Sequence, residues 1–229
     1  MISIVIPCFN EEKYLPQLLK SIKNQTFKNY EIIVADNDST DNSRQIARKY
    51  GCRIVSGGLP GKGRFNGGKA ADHDIIFFDA DVLIKKDFLE RFLFFIEKYD
   101  LDIATCTVRP LCSKLSHKLF YFLKNLFVYL THNIYPHAQG QCIFVKKSIF
   151  KKTRYDTSMK HGDEHDFVYR ATKHGKFKFI TRLCVYNYCR RIQKEGFFRL
   201  LFKSIYPELL RIIGYDLSKT VVDYEWGKF

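Results

Sequence analysis

The sequence predicts an α/β fold with a mostly parallel sheet and helices against its faces. Three observations carry this. Short apolar runs at Ser3 to Ile6, Glu31 to Ala35 and Ile75 to Phe78 are bounded by polar or turn-forming residues, as in strands buried on both faces. Segments with apolar residues at helical spacing stand between them. The alternation of strand and helix persists along the chain, which implies parallel strands joined by right-handed crossovers. At 229 residues, with 46% hydrophobic and 27% charged side chains, the chain is long enough for one such domain with a short appendage.

The elements follow in order. Ser3 to Ile6 is a strand closed by Pro7. Asn10 caps a helix whose first turn carries Glu11 and Glu12 and whose apolar positions Tyr14, Leu15, Leu18, Leu19 and Ile22 follow helical spacing. Glu31 to Ala35 is the second strand, and DNDSTDNS is a loop that opens a helix stopped by Gly51. Arg53 to Val55 is a third strand. SGGLPGKGRFNGGKAAD is a basic, glycine-rich loop leading into a short helix. Ile75 to Phe78 then ends in Asp79-Ala80-Asp81. A helix over 87–99, a strand over 102–107, an apolar helix over 113–135 and a strand over 139–145 come next. A loop from His161 feeds a helix ending at Gly175. Phe177 to Ile180 and Leu183 to Tyr188 are two late strands. The tail, 196–214, is an amphipathic helix. Arg199, Lys203 and Arg211 form one stripe, and Phe198, Leu201, Phe202, Ile205 and Leu209 lie opposite, with Pro207 kinking or dividing it.

Composition narrows the partners. Against 24 acidic residues stand 38 Lys and Arg, a net charge of +14 that favours an anionic partner: a phosphorylated substrate, an acidic membrane surface or nucleic acid. No RNP, helix-turn-helix or zinc-finger pattern is present, so nucleic acid is not expected. The seven cysteines show no CxxC pair, and the expectation is reduced thiols in a cytoplasmic protein. The N-terminus has no basic leader followed by a long apolar stretch, so no signal peptide is expected. The longest apolar segment, Leu119 to Leu130, is broken by Lys124 and Asn125 and falls short of a membrane span.

Ligands of open α/β sheets sit beyond the carboxyl ends of the strands, where Asp79 and Asp81 stand. Two carboxylates there suit a hard cation such as Mg²⁺; they equally suit a turn or the cap of the next helix. Asp163 and Glu164, at the start of the helix that ends at Gly175, likewise suit either chemistry or the helix dipole.

In chain order, SIVIPCFNEEKYL, EIIVADNDSTDNS, GKGRFNGG, FFDAD and HGDEHDFVYRATKHG resemble the motifs of glycosyltransferase family 2, over nearly all of residues 2 to 191. The resemblance implies a GT-A type, Rossmann-like fold and a nucleoside-diphosphate-sugar donor, UDP- or GDP-linked. Residues 1–229 would form a single GT-A domain. Its donor half is 1–100, its acceptor and catalytic-base half is 101–195, and 196–229 is an amphipathic helical tail. In the family pattern Pro7, Phe9 and Glu11 line the base and ribose, and Asp36 accepts a hydrogen bond from the base. Asn37 and Asp38 depart from the Asp and Gly usual there. Lys62, Arg64 and Asn66 match the loop over the diphosphate. Asp81 matches the metal ligand for Mn²⁺ or Mg²⁺, and Asp79 a ligand to ribose or to metal through water. Asp163 and Glu164 match the family's acidic pair with the acid types reversed; the second position, Glu164, is the expected catalytic base and Asp163 the alternative. Arg190 and Arg191 match a late basic pair for the diphosphate or an acidic acceptor. His161 and His165 are polar neighbours.

The implied activity is inverting, metal-dependent sugar transfer to the hydroxyl of a glycan or lipid-linked acceptor. The amphipathic helices suit a peripheral position on an anionic membrane or core and dimer packing; oligomeric state is left open. The rival is a non-catalytic module binding sugar nucleotide or membrane. A P-loop is excluded by the missing GxxxxGK[ST], and a nucleotidyltransferase by IPCFNEE standing where its glycine loop belongs.

Overall fold

The computed structural model describes residues 1–159, 162–213 and 215. Lys160, His161, Gly214 and residues 216–229 lie outside the described residues. The elements are β1 (Ile2–Cys8), α1 (Leu15–Lys23), β2 (Tyr30–Asp36), α2 (Ser43–Lys49), β3 (Arg53–Ser56), α3 (Pro60–Ala70), β4 (Asp74–Phe78), β5 (Val82–Leu83), α4 (Phe88–Lys98), β6 (Ile103–Pro110), α5 (Leu115–Thr131), β7 (Cys142–Val145), α6 (Lys147–Lys152), α7 (Asp163–Ala171), β8 (Phe177–Asn187), α8 (Arg190–Glu195) and α9 (Phe197–Ile212).

The strands form one sheet in the order β3-β2-β1-β4-β7-β6-β8-β5. The pairs β3-β2, β2-β1, β1-β4 and β6-β8 are parallel, while β7 runs antiparallel to both β4 and β6, and β5 antiparallel to β8. The sheet is therefore mixed, with its parallel character concentrated in the first half. β1 is buried along its whole length, in keeping with helices over both faces. Leu15, Leu18, Leu19 and Ile22 of α1 and Phe88 and Phe92 of α4 join one core cluster; Phe150, Tyr155 and Phe167 join a second, with Val5 and Phe77.

Four expectations change. Asn10 does not cap α1: it has a left-handed φ of 54°, and its Oδ1 accepts from the Thr40 backbone, so the helix begins only at Leu15 with Pro16 in its first turn. The glycine-rich loop is the helix α3, opened by Pro60. Its glycines serve packing: a Cβ on Gly67 would stand 2.3 Å from Val5 Cγ1, so a side chain there would lift the helix off β1. The two late strands are one strand, β8, whose register against β6 slips between Ile180 and Cys184. In α9 the buried positions include Leu200, Pro207 and Glu208, while Phe198, Phe202 and Leu209 of the expected apolar face are exposed. Lys203 pairs with Glu195 and Arg211 with the buried Glu208, while Arg199 stays exposed; Pro207 sits within the helix without dividing it.

The expectation of reduced thiols is also corrected. Pro110 of β6 lies opposite Asn187 of β8, and the chain leaves both strands side by side. Cys112 and Cys189, each two residues further on, form a disulfide across 77 residues of sequence. Cys8, Cys52, Cys106, Cys142 and Cys184 are free. No described helix is long and apolar enough to cross a membrane.

Candidate active site

The site gathers where the carboxyl ends of β1 and β4 open at one edge of the sheet, as expected for ligands of such sheets. β4 delivers Asp79, Ala80 and Asp81. β7 runs the opposite way with Cys142 opposite Phe78, so the residues entering it, Gln139, Gly140 and Gln141, lie beside Asp79. Gly162, in the left-handed region at φ 71°, starts α7 and sets Asp163 and Glu164 in its first turn.

Arg64 of α3 ties these parts together. Its Nη2 donates to Asp79 Oδ1 at 2.7 Å and its Nη1 to Asp163 Oδ2 at 2.8 Å, 99 residues along the chain. Glu164 Oε2 stands 3.9 Å from the same Nη1. A Cβ on Gly140 would lie 2.6 Å from Arg64 Nη2 and 3.4 Å from both Asp79 Oδ2 and Glu164 Oε1, so the acids of β4 and α7 face one point that only a glycine leaves open.

A second clamp lies beside the first. Arg190 Nε donates to Asp81 Oδ2 at 2.9 Å, and its terminal nitrogens meet Glu11 at 2.6 and 3.0 Å. Asn187 Nδ2 donates to Asp81 Oδ1 at 3.1 Å. Burial pushes the Glu11 carboxyl up to about 7 although Arg190 pulls it down. Burial likewise raises Asp79 and Asp163, with Arg64 opposing in both cases. Burial also drives the Lys124 ammonium down to about 8, with Arg191 adding to the fall. Carboxylates crowded out of water need cations, and the fold supplies two guanidinium groups where they converge.

One cavity holds Pro7, Glu11, Arg64, Asp79, Asp81, Asp163, Glu164, Arg190 and Arg191. Phe9, Asp36, Lys62 and Asn66 fall outside its lining. Asp36, at the end of β2, accepts from Ser39 Oγ at 2.6 Å and faces Arg44 at 3.2 Å. Asn66 donates to the Ser56 and Gly57 carbonyls, and Lys62 is exposed beside Gly58, because their stretch is a helix rather than a loop over the cavity. The sequence reading missed Lys124, the Gln139–Gln141 segment, Asn187 and Glu208, all of which line the cavity. None lies in a recognisable motif; the fold brings them in.

The donors fit a hard divalent cation. Asp79 and Asp81 supply carboxylate oxygens, and the cavity-lining Gln141 has a buried Oε1 with no hydrogen-bond partner. An all-oxygen set of this kind suits Mg²⁺ or Mn²⁺.

A family model described as glycosyl transferase family 2 matches residues 3–154. The poly(ribitol-phosphate) beta-N-acetylglucosaminyltransferase TarS of Staphylococcus aureus is 33% identical over 112 residues, 44% of this chain and 20% of that protein. The poly(ribitol-phosphate) beta-glucosyltransferase of Bacillus spizizenii is 29% identical over 209 residues, 85% of this chain and 33% of its own length. The chain thus spans a third or less of these curated relatives. Among solved structures, S. aureus TarS 1–349 with UDP-GlcNAc superposes with a TM-score of 0.67 at 22% identity, covering 82% of this chain and 58% of that one. The mannosyltransferase PcManGT from Pyrobaculum calidifontis, with GDP-Man and Mn²⁺, gives 0.66 at 15% identity, covering 90% and 64%. These likenesses show the same fold.

Proposed function

The chain belongs to glycosyl transferase family 2, and from that premise we propose that it moves a sugar from a UDP- or GDP-linked donor to a hydroxyl acceptor with inversion at the anomeric carbon. The observation that carries this reading is Arg64 holding Asp79 and Asp163 in one cavity with Glu164 at its side. Donor-side and acceptor-side acids then face the same reacting centre.

Each residue has a distinct task. Glu164 is the base: both acids line the cavity, but Asp163 is tied to Arg64 at 2.8 Å and is almost fully buried, whereas Glu164 stands 3.9 Å from that guanidinium. It takes the proton of the acceptor hydroxyl as that oxygen attacks opposite the departing diphosphate. Arg64, Arg190 and Arg191 set positive charge where the diphosphate leaves. Pro7, Phe9, Glu11 and Asp36, along the ends of β1 and β2, take the base and ribose. Lys62 and Asn66 flank that edge from α3. Asp81 and Asp79 would hold Mn²⁺ or Mg²⁺, which supplies Lewis-acid neutralisation of the leaving group. Mn²⁺ in the PcManGT structure supports that assignment. TarS and the B. spizizenii enzyme are poly(ribitol-phosphate) transferases, and the net charge of +14 suits an acceptor of that anionic kind, glycan or lipid-linked.

Asp81→Ala and Glu164→Gln are each expected to lower release of UDP from UDP-GlcNAc, or of GDP from GDP-mannose, by at least about 100-fold with Mn²⁺ present, while the melting temperature holds. Near-normal turnover by Glu164→Gln would remove it as the base.

A second reading concerns location. Leu115, Leu119, Phe122, Leu126 and Tyr129 are exposed along α5 at spacings of three and four residues, and Phe198, Phe202, Tyr206 and Leu209 are exposed along α9, which packs against α5. Apolar stripes on a strongly cationic chain suit a peripheral position on an anionic membrane, on the cytoplasmic side where the donor would be met.

A further inference from the structure

The helix α9 lies beyond the stretch that the family model matches, yet it sends a buried acid into the site. Glu208 is 3% exposed. Its Oε2 stands 3.3 Å from His165 Nδ1, and His165 Nε2 stands 3.8 Å from Glu164 Oε1. The imidazole thus has a carboxyl group at each nitrogen. Glu208 Oε2 and His165 Nδ1 face one another at 3.3 Å, both buried and without an aligned hydrogen bond to each other or to any other group. The ring stacks on that of His137, with centroids 5.3 Å apart and planes 25° apart. Arg211 occupies the other Glu208 oxygen and packs over Gly162, one residue before Asp163.

We propose that Glu208 is a positioning residue for the base: its carboxylic acid donates to His165 Nδ1, which places the imidazole proton on Nε2, directed at the Glu164 carboxylate. This rests on Glu164 being the base. A neutral imidazole carries one proton, so the partner at Nδ1 decides what Nε2 offers. When Glu208 is protonated, Nε2–H faces Glu164 and holds its carboxylate towards the acceptor. When Glu208 ionises, the ring proton is drawn to Nδ1 and a lone pair faces Glu164 instead.

The surroundings place this change near neutrality. Burial raises Glu208 to about 7; Arg211 of α9 and Lys124 of α5 pull it down, and Glu164 of α7 pushes it up. Tyr135, on the connection after α5, also interacts with it, and His137 lines the same cavity. Burial keeps His165 neutral, far below its usual range. A raised carboxyl is protonated below its folded pKa, so the orienting arrangement holds at lower pH and is lost as pH rises through about 7.

The test is ¹⁵N NMR of the imidazoles in the whole protein, with the His165 signals assigned by their loss in His165→Asn. At pH 6 the wild type is expected to show the Nε2–H tautomer of His165 and to pass to Nδ1–H as pH rises through about 7. In Glu208→Gln, whose amide N–H donates as the neutral acid does, the Nε2–H form should persist to pH 9. An Nδ1–H tautomer at pH 6, or an unchanged transition in Glu208→Gln, overturns the proposal, and neither result needs the substrate to be known. In turnover, Glu208→Ala should lower kcat about tenfold with donor KM unchanged, and Glu208→Gln should recover most of that loss without the alkaline fall. If Glu164→Gln is active, the base assignment fails by itself. If Glu164→Gln is dead while Glu208→Gln and Glu208→Ala lose equally, only the positioning role fails.

Discussion

Arg64 keeps three acids of the cleft compatible with one another. Its side chain is 4% exposed, and it meets Asp79, Asp163 and Glu164. Removing one partner of a buried ion network strands the others, at a cost of about 3–5 kcal/mol. Arg64→Ala is therefore expected to lose about 3 kcal/mol of unfolding free energy at pH 7, measured by urea denaturation. The deficit should shrink as pH falls through about 7, where the buried Asp163 carboxyl takes up its proton. Arg64→Lys recovers part of it, since one ammonium cannot match a fork reaching two carboxylates. A loss under about 0.5 kcal/mol would show that the clamp contributes little. The acids were legible because they sit at strand ends and helix starts, where the sequence marks them. Arg64 was legible only as a basic residue in a glycine-rich run, and its bond to Asp163 depends on a contact 99 residues away. Glu208 was illegible because an acid on an amphipathic helix looks solvent-facing until the packing of that helix is known.

At the scale of elements, α3 and the ends of β6 and β8 decide the geometry. Local patterns correctly marked β1, β2, β4 and α4. They failed at α3, where glycine suggests a loop but here lets a helix lie flush on β1. They failed again at Cys112 and Cys189, because the parallel register of β6 and β8 is set by the whole sheet rather than by cysteine spacing. A cross-link over a loop of that length stabilises by about 4 kcal/mol in the chain-entropy view. Dithiothreitol, or Cys112→Ser, is expected to lower the melting temperature by several degrees. It should also weaken donor binding, because Cys189 immediately precedes the Arg190 that grips Asp81 and Glu11. An unchanged melting temperature after reduction would mean that the strand pairing alone holds these ends together.

Across the whole molecule, charge and exposed apolar surface act together. Leu115, Ile134 and Phe198 are 76–82% exposed in a chain of +14 net charge. Burying such side chains in a lipid interface gains about 25 cal/mol per Å², and neighbouring Lys and Arg add attraction to anionic headgroups. The protein is expected to float with phosphatidylserine vesicles at low salt and to dissociate as salt rises. Leu119→Ser with Phe202→Ser should abolish flotation without loss of fold, whereas migration independent of vesicles would dismiss the membrane reading. The paired arginines carry a different consequence for the working cycle. Arg190 already engages Asp81 and Glu11, so on the proposed function an arriving nucleotide would enter by exchanging partners with a resident guanidinium. Loading and discharge then become two positions of one swap, and the protein is never asked to face its own negative charge alone.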